Sequence, residues 1–146
     1  MTDVFSKVKR SEVMSQIRGR DTKPERTVRS MLHRAGFRFR LHAALPGKPD
    51  IVLPRFQTAI LVHGCFWHRH TACKLAYIPK TRQSFWVDKF ASNVARDRRN
   101  VLELRRLGWR VITIWECEIK APERLDLKLR RLLKNDRRDK VHNGER

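Results

Sequence analysis

Four soft or borderline metal donors occur in a pattern that suits one tetrahedral ion. Cys65, His70 and Cys73 lie close together, and Cys117 follows farther along the chain. Three thiolates and one imidazole are the donor set of a structural zinc site. Such a site would use every cysteine of the chain. The alternative for each cysteine is a small buried hydrophobe, which free cysteine often is. Cys117 also depends on a closure of the fold, and His68, three residues after Cys65, is a rival donor.

A second set of groups carries oxygen and nitrogen. Asp50 follows Pro49 at the start of an apolar run, His63 ends the next apolar run, and Glu25 and His68 lie elsewhere. Each residue alone has a plain reading: Asp50 as a turn or cap residue, His63 as a strand-end histidine, Glu25 as part of a helix cap. Brought together they suit metal-assisted phosphodiester hydrolysis. A carboxylate holds Mg2+ through oxygen, and a neutral histidine takes a proton from an attacking water.

Large aromatics stand among these groups. Phe66 and Trp67 follow Cys65 directly and fit neither helical nor strand spacing. Aromatics on a basic loop suit wedging between base pairs or stacking on bases, and Trp86 is placed to join them. The competing reading is a small hydrophobic cluster under the loop. In the N-terminal segment, Met14 and Ile17 are three apart among Lys7, Lys9, Arg10, Arg18 and Arg20. They suit docking on the domain or insertion into a minor groove, with the cations on phosphates.

The elements that must hold these groups can be read from spacing. Thr22, Pro24 and Glu25 form a helix start, and Val28, Met31, Leu32 and Ala35 continue at helical spacing to Gly36. Residues 37–41 alternate apolar with basic side chains, and His42 continues the alternation, as in a half-buried strand. Strands are expected at 50–53 and 58–62, the latter apolar on both faces and therefore central. Residues 63–83 lack periodicity and contain most of the unusual chemistry. A long helix is expected at 84–107 with Gly108 as its stop, then a strand at 109–115, then a helix opened by Pro122 with Leu125, Leu129, Leu132 and Leu133. This order predicts a mixed α/β domain at 21–134, a sheet with helices packed on it. A basic arm precedes it at 1–20, and a polar, disordered tail is expected at 135–146.

Composition limits the partners. The chain has 146 residues, enough for one domain with a core. Lys and Arg number 34 against 15 Asp and Glu, a formal net charge of +19, which points to a polyanion such as nucleic acid. The longest uninterrupted apolar run, residues 59–62, excludes a membrane-spanning helix. No apolar export segment opens the sequence, so a cytoplasmic, nucleoid-associated protein is expected.

The run His63-Gly64-Cys65-Phe66-Trp67-His68-Arg69-His70 closely resembles the signature of the very-short-patch repair (Vsr) DNA mismatch endonucleases. Further segments resemble that family in the same order: Arg20-Asp21-Thr22, Leu45-Pro46-Gly47-Lys48-Pro49-Asp50, Asn93-Val94 with Arg96-Asp97-Arg98-Arg99, and Trp115-Glu116-Cys117. The resemblance spans roughly residues 5–134. It implies a restriction-endonuclease-like three-layer α/β fold with a mixed central sheet and a structural zinc site. It implies Mg2+-dependent nicking of one strand of double-stranded DNA, 5′ of the thymine in a T:G mismatch left by deamination of 5-methylcytosine.

The resemblance also implies roles. Asp50 binds Mg2+ with the main-chain carbonyl of Val62. His68 is the general base, His63 assists at the scissile phosphate, and Glu25 orients water at the metal. Phe66, Trp67 and Trp86 intercalate, and Met14 and Ile17 clasp the minor groove. Cys65, His70, Cys73 and Cys117 hold Zn2+. The expected partners are mismatched DNA, mismatch-repair proteins and a repair polymerase, with the enzyme a monomer. Two departures stand out. The acidic-x-Lys triplet of the wider nuclease fold is absent from residues 58–63, and two residues separate His70 from Cys73 where a known member of the family has one. The alternatives are a restriction-type nuclease without mismatch specificity and a non-catalytic zinc-stabilised DNA-binding module.

Overall fold

A computed structural model describes residues 22–144, with side chains to residue 133. The arm bearing Met14 and Ile17 lies outside the described residues. Helix α1 spans Lys23–Arg34, and the Thr22 side chain accepts from the Glu25 amide at 3.3 Å, one half of the expected capping box. Strands β1 (Arg40–Leu41), β2 (Ile51–Leu53) and β3 (Thr58–His63) follow. Then come helix α2 (Gln83–Arg106), strand β4 (Arg110–Trp115), a short helix α3 (Glu116–Ile119) and helix α4 (Pro122–Gly144).

The four strands lie in chain order, β1-β2-β3-β4. The first two pairings are antiparallel, and β3 with β4 is parallel, so the sheet is mixed. A parallel pair needs a long crossover, which residues 64–82 and α2 supply. Strand alternation divides the core. Ile51, Leu53, Ile60, Val62, Ile112 and Ile114 point to one face, against Val28, Met31 and Leu32 of α1 and Leu125, Leu129 and Leu133 of α4. Val52 and Ala59 point to the other, against Leu104 of α2. Three layers result, and β3 is buried along its whole length because it is paired on both edges and covered on both faces.

Three local expectations differ from the structure. The strand read at 37–41 is only Arg40–Leu41, because Phe37 and Phe39 pack sideways onto the α1/α4 core. Helix α3, carrying Cys117, had no periodic signal in its four residues. Helix α4 runs to Gly144, through most of the polar segment that composition marks as a tail.

Candidate active site and metal centre

A cleft of about 490 Å³ opens where β3 ends, beside the N-terminus of α1 and the middle of α2. Glu25, Asp50, Val62, His63, Trp67, His68 and Asp97 are among its lining residues. Gly47, with φ +74, shapes one wall; a Cβ there would sit 2.8 Å from the Asn100 side chain.

On one side of the cleft Asp50 Oδ2 accepts from the Val62 amide at 2.7 Å. Continuing the β2–β3 register past Ile51 and Ile60 sets Val62 against Pro49. Proline has no N–H to give. In extended chain the N–H and C=O of one residue point to the same edge, so the Val62 carbonyl faces Asp50 without a donor from Pro49. Glu25 is buried and bonded to Arg29 at 3.2 Å. It also comes within hydrogen-bond reach of Asp50, and burial, then the Glu25 charge, pushes the Asp50 carboxyl up to about 8. Two carboxyl groups and a main-chain carbonyl meeting in a buried corner form an all-oxygen donor set that suits a hard divalent cation.

Across the cleft His63 and His68 stack with ring centroids 3.8 Å apart and planes 5° from parallel. His68 Nδ1 lies 2.7 Å from Asp97 Oδ2 on α2. A carboxylate there favours the proton on Nδ1 and leaves the Nε2 lone pair free to accept one. Burial, then His68, pushes His63 down to about 3, so it stays neutral. The donor atoms of His63, His68 and Asp97 lie within 4.8 Å of one another. Imidazole lone pairs lie in the ring planes, and two parallel planes 3.8 Å apart do not converge on one ion. The geometry is that of a histidine oriented by a carboxylate.

Below the cleft, Cys65, His70, Cys73 and Cys117 bring their donor atoms within 4.8 Å of one another. His70 Nδ1 is 3.6 Å from Cys65 Sγ and 3.3 Å from Cys117 Sγ. His63 pairs with Trp115 in the sheet, so Cys65 and Cys117 each stand two residues beyond paired positions. The Cys117 amide donates to Cys65 Sγ, and Glu116 accepts from the Cys65 amide. The extra residue between His70 and Cys73 is absorbed where Ala72 adopts φ +57. His68 points to Asp97 instead of joining the quartet.

The aromatics form one pile. Phe66 lies 5.1 Å from Trp67, 5.2 Å from Tyr77, 5.5 Å from Trp86 and 5.1 Å from Phe90. The Asn93 amide holds the Trp67 carbonyl at 3.1 Å. Arg69 reaches the carbonyls of Phe66, Ala76 and Tyr77 and lies 3.8 Å over the Phe90 ring. The cluster under the loop thus exists, and Phe66 and Trp67 remain only partly buried at its rim.

Sequence reasoning assigned no role to Asp97, Asn93 or Arg69. The signal was present for two of them. Asn93 and Asp97 are four apart on α2 and interrupt the stripe begun by Trp86 and Phe90 on the face toward the loop. Arg69 was hidden because its partners are backbone carbonyls, which leave no trace in side-chain spacing.

The model of the DNA mismatch endonuclease Vsr family matches residues 2–74. The chain is 46% identical over 134 residues, 91% of its length and 98% of the relative's, to the Type II nicking enzyme V.XorIIP of Xanthomonas oryzae pv. oryzae. It is 44% identical over 92% of its length to the Type II nicking enzyme V.NmeAIP of Neisseria meningitidis, covering 96% of that protein. It is 45% identical over 86% of its length to the DNA mismatch endonuclease Vsr of Escherichia coli, covering 80% of that protein. A shared signature over a cleft that joins paired carboxyls to a histidine–aspartate couple leads to one conclusion: the chain belongs to the Vsr family of DNA mismatch endonucleases.

Proposed function

We propose that this endonuclease, acting as a monomer on a restriction-endonuclease-like scaffold, nicks double-stranded DNA 5′ of the thymine in a T:G mismatch. The observation that carries the reading is the cleft itself, whose lining brings together the Glu25–Asp50 pair and the His68–Asp97 couple. Mg2+ held by Asp50 and the Val62 carbonyl, with Glu25 beside it, would supply positive charge to the phosphate being cleaved. His68 takes the proton of the attacking water, and Asp97 stabilises the imidazolium that forms. His63, neutral and stacked on His68, donates toward a phosphate oxygen. The bond from phosphorus to the sugar oxygen breaks as the water oxygen bonds to phosphorus, and the departing oxygen takes a proton from solvent. Zn2+ fits the Cys65, His70, Cys73 and Cys117 set, and there it has a structural role.

Phe66 and Trp67, with Trp86 behind them, are placed to stack beside the mismatch, where unpairing costs least. Met14 and Ile17 would clasp the minor groove from the arm. The restriction-type alternative lacks a reason for this aromatic rim. The test is incubation with end-labelled duplexes that differ in one T:G or T:A pair, set in several flanking contexts, with and without Mg2+. A single nick 5′ of the mismatched thymine, absent without Mg2+, is expected. Equal cleavage of both duplexes would overturn the mismatch reading, and binding without nicking in every context would favour the non-catalytic module.

A further inference from the structure

Trp115 has no part in the cleavage scheme, yet it lies between the two chemical centres. Its indole stacks on His70 with centroids 4.3 Å apart and planes 10° from parallel. The same indole meets the His63 ring at 5.3 Å and 73°. His63 in turn stacks on His68, which is bonded to Asp97. A continuous row of rings therefore runs from the Cys3His quartet to the histidine read as the base. The sheet fixes the row, because Trp115 is the registered partner of His63 in the parallel β3–β4 pair. The Trp115 backbone is pinned as well: its amide donates to Glu118 Oε1 at 3.0 Å, and Lys128 bonds Glu118 Oε2 at 2.7 Å.

The indole is a rigid plate with two loads. On one face it sets the plane of the His70 ring, whose Nδ1 must point at the thiolates of Cys65 and Cys117. His63 meets the same ring at a steep angle; its backbone is held by the sheet while its ring can turn only about two bonds. We propose that Trp115 is a positioning residue for hydrolysis, coupling the ordered quartet to the orientation of the His63–His68 stack. Packed side chains have discrete arrangements, so a plate lost at this place lets His63 rotate and leaves His68 supported by Asp97 alone. Residues that orient a catalytic or ligating group in this way are worth about 10- to 100-fold in activity or affinity.

The proposal rests on the nuclease reading for its activity arm only. The full chain is prepared as wild type, Trp115→Leu and Trp115→Phe, with zinc measured by elemental analysis and histidine ring signals followed by NMR with carbon-13-labelled histidine. Trp115→Leu should retain one zinc per chain and bind the mismatched duplex as wild type does. Its kcat should fall at least about 10-fold at unchanged KM, with displaced His63 and His68 signals. Trp115→Phe, which keeps an aromatic plate, should recover kcat to within about threefold of wild type. Wild-type kcat in Trp115→Leu, or undisplaced His63 signals, overturns the proposal. Should Trp115→Leu lose its zinc, Trp115→Phe decides: with zinc retained, recovered kcat supports the plate and kcat below a tenth of wild type overturns it. Failure of the wild-type chain to nick any duplex would overturn the nuclease reading, while the His63 signals would still judge the plate.

Discussion

Replacing Asp50 by Asn should stabilise the protein and destroy its activity. The structure supplies the reason. Asp50 lies largely buried beside Glu25, and its carboxyl is pushed from 3.8 up to about 8 by burial first and the Glu25 charge second. A carboxyl raised in the folded state binds its proton more tightly than the unfolded chain does. Its cost to stability is therefore absent below about pH 4 and grows as pH rises toward 8. The full shift corresponds to about 6 kcal/mol. The cleft is open to water, which relieves part of it and leaves about 2 kcal/mol at pH 8. Asparagine keeps the size, can accept from the Val62 amide, and adds a donor toward Glu25. For a chain of this length about 2 kcal/mol raises the melting temperature by about 4–8 °C. Thermal melts without Mg2+ should show Asp50→Asn that much above wild type at pH 8 and nearly level with it at pH 5. His63, pushed down to about 3, destabilises both proteins equally as pH falls below 6.5, so it cancels in the difference. Added Mg2+ should raise the melting temperature of wild type alone, and the variant should not nick. A melting temperature at pH 8 equal to or below wild type would refute the reasoning, because the two carboxyls would then not be held against each other.

Asp97→Asn should lower kcat about 10- to 100-fold with unchanged affinity for mismatched duplex, since His68 loses the charge that stabilises its protonated form; an unchanged kcat removes Asp97 from the mechanism. Cys73→Ala should release the metal and lower the melting temperature by several degrees, because metal binding at such a site is part of the folding free energy. Elemental analysis showing one metal per chain in that variant would exclude Cys73 as a ligand. Trp67→Ala should reduce the ratio of T:G to T:A duplex affinity, with base stacking worth about 1–3 kcal/mol, and equal discrimination would remove Trp67 from mismatch recognition.

Much of this protein can be read from local chemistry. Thr22, Pro24 and Glu25 start α1 because capping involves neighbours in the chain. The apolar run at 58–63 reads as central because a strand covered on both faces needs no polar alternation. Cys65, His70 and Cys73 are legible as donors because one loop contains them all. Alternation at 37–41 suits a strand, but it equally describes an irregular segment whose Phe37 and Phe39 side chains reach the core.

Which distant groups meet is settled by the tertiary fold. Cys117 joins the quartet because the parallel register places Trp115 beside His63, a pairing between strands separated by a long crossover. Asp97 becomes the partner of His68 because α2 packs across that face of the sheet, and among three neighbouring arginines its sequence looks like a solvated surface. Glu25 and Asp50 become a coupled pair because α1 and the start of β2 converge at one corner. Local sequence determines the elements and the kinds of chemistry available, since propensity, capping and loop ligands act over a few residues. The distances that turn those groups into a site depend on strand register and helix packing, which are settled by the whole core at once.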